Sequence, residues 1–374
     1  MILLLTILGI LTAIYCSAIL WIIFGFFKIR KQGNINDQDA VQSISLIIPV
    51  RNEEQHLLQC LKSIENQLFN KIYFEVLIVN DHSTDHSLEI INTFIENSTI
   101  DIQLFSLVEK FSKKEALKLG VTKAKYPIIA TTDADCILPK KWLSFISNQM
   151  SNETDMLLGP ITYLPVRGFL AGFQTLDMLA MQGVEFGALG FKKPILNNAA
   201  NLAYSKQDYD AVNGFDNYQT PSGDDIFLLE KFEVAQKNIK GLLVKDFIVQ
   251  TEPEKTLKDF FNQRLRWSSK AKFYSNKYLL FFSALILLEN LSLLLIYFGL
   301  VLVENYRISL GILLFSKWFI DFIILYLVAG FFDKRRVLLL YFIPVQVIYP
   351  IYIFTIWIAS LTMKFEWKER KFNE

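Results

Sequence analysis

Cysteine and histidine are scarce, with three of each in 374 residues. Cys16, Cys60 and Cys136 are too few and too scattered for a disulfide framework, which fits a reducing compartment for the middle of the chain. Neither they nor His56, His82 and His86 have the spacing of a zinc site. Charge of one sign is lacking as well. Lys and Arg total 38 against 37 Asp and Glu, a net charge of +1, which gives no case for a nucleic-acid partner. Internal repeats and low-complexity tracts are also missing.

Apolar residues are in excess, at 52% of the chain, and they are unevenly spread. They concentrate in 2–27 and in three later stretches, 278–303, 308–331 and 337–363, each longer than the roughly 20 residues that cross a bilayer as a helix. The first run is expected to be an anchor, spanning 1–30. It is too long for a cleaved signal, starts without Lys or Arg, and is followed by no small-residue cleavage site. Lys28, Arg30 and Lys31 come directly after it, so the positive-inside tendency predicts an integral membrane protein with its middle domain in the cytoplasm. Residues 31–42 are polar and aperiodic, a linker, and 364–374 form a charged tail. Inside the later stretches Glu289, Asn290, Lys317 and Asp321 are costly in lipid. Lys317 and Asp321, four apart, can pair on one helix face. They either lock helices together or line a groove for the polar head of an acceptor.

The middle, 43–255, alternates strand and helix patterns. Residues 43–50 (SISLIIPV) read as a buried strand, and Asn52 is expected to cap a helix with Leu57, Leu58, Leu61, Ile64 and Leu68 along one face. Strand 74–80 (FEVLIVN) precedes a helix capped by Asp85 and carrying Leu88, Ile91 and Ile95. Strand 102–107, helix 113–123 and strand 127–132 repeat the unit. The pattern predicts an α/β fold, a mostly parallel sheet with helices on both faces. In such sheets ligands bind beyond the carboxyl ends of the strands. From 155 to 276 the reading is mixed, with a helix near 168–187, a strand near Leu202, a helix after Asp225 and strands near Leu242 and Ile248. Residues 256–277 read as one amphipathic helix at the membrane surface.

The polar clusters fall where strands end. Asp133-Ala134-Asp135 directly follows strand 127–132, where two carboxylates can turn toward one hard cation shared with phosphates, or can simply make a turn. Asp81 ends strand 74–80 and can accept hydrogen bonds from a base or ribose, or belong to a helix-start cluster with Ser83, Thr84 and Asp85. Gly223-Asp224-Asp225 opens an apolar-periodic run. Its acids can cap a helix, or one can take a proton from an attacking hydroxyl. Gln263, Arg266 and Trp267 fall within about one helical turn. Arg there can bind phosphate bidentately and Trp can stack on sugar or lipid. Arg264, Lys270 and Lys272 read as basic interface anchors.

In order and spacing, P-V-R-N-E-E (49–54), V-N-D-H-S-T-D (79–85), S-K-K-E-A-L (112–117), D-A-D (133–135), G-D-D (223–225) and Q-R-L-R-W (263–267) resemble family 2 glycosyltransferases. The resemblance covers about 43–267 and is to the membrane-bound branch of polysaccharide synthases and ceramide or carotenoid glucosyltransferases. It implies a GT-A, Rossmann-like fold, inversion at the sugar carbon, a Mg or Mn ion, a UDP- or GDP-sugar donor and a lipid or saccharide acceptor. By position it places Pro49 and Glu53 at the nucleoside, Asp81 at the base and Lys113 near the donor. Asp133 falls at the ribose or sugar, Asp135 at the metal, and Asp225, next to Asp224, at the catalytic base. Gln263, Arg266 and Trp267 fall at the acceptor and diphosphate. Asn80, Ser112 and Asp224 stand where the family often has Asp, Gly and Glu. The ending F-E-W-K-E-R-K-F (365–372) is similar to the W-x-G-R of some lipid-glycosylating members, with Glu369 in place of the glycine. The rival readings are a processive synthase threading polymer outward and a non-catalytic membrane protein that binds nucleotide sugars.

Overall fold

A computed structural model describes residues 2–31, 41–150, 153–165, 167–216, 223–363, 366–367 and 370–371. Most of the expected linker (32–40) lies outside the described residues. So does most of the tail, Glu369 included.

Four parallel strands form the first half of the sheet: β1 (Ile44–Val50), β2 (Phe74–Asn80), β3 (Ile102–Ser106) and β4 (Ile128–Thr131). β1 and β2 are near-continuous runs of β-branched and aliphatic residues, as strands covered on both faces require. They pair in step from Ile44 against Phe74 to Val50 against Asn80. The sheet order is β3-β2-β1-β4-β7-β5-β8, so the chain runs outward from β1 to β3 and then returns to the other side of β1. This reversal makes the β1/β4 boundary a topological switch point, where a crevice opens beyond the strand ends. The far half is mixed. β7 (Leu202–Ser205) is antiparallel to β4 and to β5 (Met156–Leu158), and β8 (Ile239–Gly241) is parallel to β5. A separate parallel pair joins β6 (Ile161–Tyr163) and β9 (Val249–Thr251).

The connecting helices in chain order are α2 (Leu57–Glu65), α3 (Ser87–Asn97), α4 (Lys113–Lys123), α5 (Trp142–Gln149), α6 (Phe169–Leu189), α7 (Lys206–Ala211), α8 (Asp224–Val234) and α9 (Leu257–Ser268). Ser112 Oγ accepts from Glu115 N at 3.2 Å, the S-x-x-E start that fixes α4. Asp85 Oδ1 accepts from Ser87 N at 3.0 Å, as expected of the residue opening α3. Asn52 does not cap α2. It takes a left-handed φ of 50° and its Oδ1 accepts from Thr84 N at 2.9 Å, so the helix starts only at Leu57. The single amphipathic helix expected over 256–277 is also corrected. α9 ends at Ser268, Ser269–Phe273 make a tight turn, and the next helix starts at Lys277.

Among the described residues, four helices are long and apolar enough to cross a membrane: α1 (Ile2–Arg30), α10 (Lys277–Leu302), α11 (Arg307–Phe331) and α12 (Arg335–Thr362). α6 joins them to the sheet domain, packing on α1, α11 and α12. The α1–α6 contact depends on glycine. A Cβ on Gly25 would meet the Gly187 carbonyl oxygen at 1.8 Å, and one on Gly190 would meet the Gly25 oxygen at 2.0 Å. Within the bundle, Lys317 Nζ lies 2.7 Å from Asp321 Oδ2 and donates to Gln346 Oε1 at 2.8 Å. Gln346 Nε2 donates to Asp321 Oδ2 at 3.0 Å and Tyr15 OH to Asp321 Oδ1 at 2.8 Å. Thr12 Oγ1 donates to Glu289 Oε1 at 3.0 Å. These bonds tie α1 to α10 and α11, and α11 to α12.

Candidate active site

Because β1, β2 and β4 are parallel, their carboxyl ends lie on one edge, and each delivers a polar loop there. The β1–α2 and β2–α3 loops are bonded to each other. Arg51 Nη1 donates to the carbonyls of Asp81 and His82 at 2.8 and 3.0 Å. Glu53 N donates to Ser87 Oγ at 2.9 Å, Glu54 N to Asp85 Oδ2 at 3.0 Å, and His86 N to Glu54 Oε2 at 3.0 Å. Ser83, Thr84 and Asp85, which read as a helix-start cluster, thus also join two loops. The hydrogen bonds to Asp85 hold its carboxyl below the ordinary range, although burial opposes them.

Pro49 sits half-buried near the end of β1, opposite Val79. Asp81 is buried directly after β2, with His82 Nδ1 3.2 Å from its Oδ1. Glu53 contacts His56 at 3.6 Å, and His56 in turn lies 3.4 Å from Glu252 just past β9. The bond to Glu53, more than the opposing burial, raises the His56 pKa.

Asp133 and Asp135 follow β4 in a segment clamped to β9 by the backbone pair Ile137 N to Gln250 O at 2.7 Å and Gln250 N to Ile137 O at 3.1 Å. Asp133 Oδ1 lies 2.5 Å from Lys113 Nζ at the start of α4. Asp135 accepts from Thr251 Oγ1 at 3.2 Å and from Cys136 Sγ at 3.4 Å. Among the described residues no group of three or more metal-binding side chains forms. Two half-exposed carboxylates suit a hard cation that draws its remaining oxygens from phosphates and water, the usual manner of Mg.

α8 brings Asp224 and Asp225 to the same space, its first turn set by Gly223 at φ 96°. Asp224 is buried and its Oδ2 has no hydrogen-bond partner among the described residues. Burial raises its pKa, opposed by Lys113. Asp225 is less buried, with Oδ1 accepting from Ile226 N at 2.8 Å. For Lys113 burial disfavours the charge, but Asp133, Asp224 and Asp225 outweigh it and raise the pKa.

On α9, Gln263 Nε2 donates to Glu254 Oε1 at 2.8 Å. Arg266 feels the charges of Asp133, Asp224 and Asp225, although burial is the larger influence and lowers its pKa. The Trp267 ring stacks under the Arg264 guanidinium at 4.1 Å. Arg264 is not a membrane-interface anchor. It is 4% exposed, lies 2.8 Å from Asp177 Oδ2 of α6, and Asp177 Oδ1 accepts from Tyr349 OH at 2.9 Å. Lys270 is equally misread as an anchor, being 6% exposed, whereas Lys272 is exposed. Sequence reasoning also missed Thr251, Glu254 and Asp177. Asp177 carried a signal, as one of several polar residues along the apolar run of α6.

The edge therefore gathers Glu53, Asp81, Asp133 and Asp135 from the strand ends, Lys113 from α4, Asp224 and Asp225 from α8, and Arg266 from α9. The same fold occurs in a mannosyltransferase from Pyrobaculum calidifontis, solved with GDP-Man and Mn2+, at TM-score 0.61 and 15% identity over 96% of this chain and 99% of that one. The family model described as Glycosyl transferase family 2 matches residues 45–183, and that of Glycosyl transferase family group 2 matches 128–362. The chain belongs to the family 2 glycosyltransferases. A probable glycosyltransferase of Sulfolobus acidocaldarius is 25% identical over 252 residues, 65% of this chain and 53% of that protein. A dodecaprenyl-phosphate galacturonate synthase of Rhizobium johnstonii is 29% identical over 125 residues, 32% of this chain and 37% of that one. The chain thus spans about half the length of the first relative and little over a third of the second.

Proposed function

We propose that this protein transfers a sugar, with inversion, from a nucleoside-diphosphate sugar to a lipid-linked or saccharide acceptor at the cytoplasmic face of a membrane. The observation that carries the reading is the convergence of Asp81, Asp133, Asp135, Asp225 and Arg266 on one strand edge, in a chain that belongs to a glycosyltransferase family. The nucleoside would lie over Pro49 and Glu53 with its base against Asp81. Asp133 would hold the ribose or sugar, and Lys113 would stay charged beside it. Asp135 would hold Mg or Mn, as the Mn2+ in the mannosyltransferase complex supports. When bound, that ion supplies Lewis-acid neutralisation of the diphosphate. Arg266 adds fixed positive charge to the same leaving group.

Asp225 takes the proton of the acceptor hydroxyl as its oxygen attacks the sugar carbon. The bond from that carbon to the diphosphate oxygen breaks on the opposite face. The more exposed Asp225 suits this role better than Asp224, whose burial favours its neutral form. Residues 43–255 form the transferase unit, 1–30 and 278–363 its membrane part. The bundle interior is filled by side chains such as Ile22, Leu293, Ile296, Val328 and Leu338, all fully buried, which favours transfer of one or a few sugars over threading a polymer.

Purified protein incubated with a panel of UDP- and GDP-sugars and an acceptor lipid extract should release nucleotide with one of them. Release should stop with EDTA and return with Mn2+ or Mg2+. No release from any donor, or release indifferent to EDTA, contradicts the proposal.

A further inference from the structure

We propose that Lys270 binds a phosphate group in this site, an assignment that rests on the transferase reading above. The residue sits in the tight turn Ser269–Phe273 between α9 and α10. It is 94% buried, and its stem crosses the entry to α8, where a Cβ on Gly223 would come within 3.0 Å of Lys270 Cδ. Gly223 thus serves the lysine as well as its own left-handed turn. The crossing carries the side chain to Asp225, Asp224, Arg266 and Lys113, the charges that act on it most.

Within that group Lys270 differs from its fellow cation Lys113. Lys113 has the Asp133 carboxylate at 2.5 Å, whereas Lys270 is drawn by Asp225 and Asp224 without a close ion pair among the described residues. Burial lowers its pKa, and the neighbouring Arg266 and Lys113 push the same way against Asp225 and Asp224. An ammonium held largely out of water beside two other cations is costly, and such a cost is offset when an anion completes the site. Lys113 and Arg266 are the cations whose charges act on Lys270, so a phosphate bound at Lys270 would lie near all three. Phosphate can come from two sources: the diphosphate of the donor, or the phosphate of a polyprenyl-phosphate acceptor.

The test compares the purified full chain with Lys270→Met and Lys270→Arg, using three readouts. These are thermal unfolding, the Kd for UDP and GDP with Mn2+, and KM for a polyprenyl phosphate in detergent micelles. Lys270→Met removes a charge that burial, Arg266 and Lys113 disfavour more than Asp225 and Asp224 favour it, so it should melt at or above the wild-type temperature. A role confined to packing or internal pairing would instead lower it. A nucleotide Kd raised about ten- to a hundredfold in Lys270→Met, and within about threefold of wild type in Lys270→Arg, assigns the donor diphosphate. Unchanged nucleotide Kd with an equally raised polyprenyl-phosphate KM assigns the acceptor phosphate. Both constants unchanged, or a lowered melting temperature alone, overturns the assignment. Wild-type protein that binds neither nucleotide overturns the transferase reading itself, independently of Lys270. If Lys270→Met does not fold, Lys270→Arg decides the matter: a guanidinium that keeps nucleotide and acceptor constants near wild type supports phosphate binding, and loss of both at a normal melting temperature overturns it.

Discussion

Two lysine–aspartate pairs, Lys113–Asp133 at the sheet edge and Lys317–Asp321 in the apolar bundle, have nearly the same length, 2.5 and 2.7 Å, in opposite settings. The bundle pair is closed: its side chains are 1% and 11% exposed, and Gln346 and Tyr15 bond to it. The edge pair is 21% and 34% exposed, and Asp224 and Asp225 compete for its lysine. A saturated pair holds helices in register. An open one can exchange a partner for a ligand. Of the two readings given to Lys317 and Asp321, the locking one accounts for these contacts without an acceptor.

The largest expected effect is on the closed pair. Asp321→Leu alone leaves the Lys317 ammonium buried with only Gln346, and should destabilise the protein by about 3–5 kcal/mol. The Lys317→Leu/Asp321→Leu double variant should lose less than the single one, with a near-normal acceptor KM. A strongly raised acceptor KM at normal stability would restore the groove reading. Thermal unfolding in detergent, with acceptor kinetics on the survivors, measures both. The counterpart change, Lys113→Met, should cost less than Asp321→Leu, because solvent reaches part of the edge pair. It should nonetheless lower kcat/KM for the donor by tenfold or more. A stability loss as large as that of Asp321→Leu would erase the contrast between the two regions.

Smaller effects are expected where no charge is buried. Gly25→Val forces side-chain atoms into the Gly187 backbone and should cost about 1–3 kcal/mol by overpacking. An unchanged melting temperature contradicts the close approach of α1 to α6. The smallest effect is at Asp85, whose carboxyl titrates below its ordinary value of 3.8. A depressed folded-state pKa gives stability that is fully present above the unfolded value and lost as pH falls through the folded one. Wild type should therefore exceed Asp85→Asn in melting temperature near pH 6, and the gap should close as the pH falls through the lowered carboxyl pKa. A gap that persists in acid shows that charge is not what joins the two loops.

The same two regions differ in how far they could be read from sequence. β1, β2, α4 and β4 were legible because parallel strands buried on both faces are unbroken aliphatic runs, and because S-x-x-E marks a helix start. The three late apolar helices were legible by length alone. Asn52 was misread because Asn serves helix caps and left-handed turns equally well, and only the contact with Thr84 decides. β5 and β6 are three residues each, too short for a period to show. Arg264 and Lys270 look like interface anchors in an amphipathic pattern. Their burial depends on Asp177 of α6 and on Gly223, 87 and 47 positions away, which no local period can report.

The division of labour between Asp135 and Asp225 tests the account most directly, in one experiment on each substituted protein. Equilibrium donor binding and single-turnover sugar transfer are measured with Mn2+ present. Asp225→Asn should bind the nucleotide sugar within about threefold of wild type and transfer at least a hundredfold more slowly, the scale of a lost general base. Asp135→Asn should lose the Mn2+ dependence of donor binding along with transfer. Transfer at wild-type rate in Asp225→Asn, or Mn2+-dependent donor binding retained in Asp135→Asn, would contradict the account.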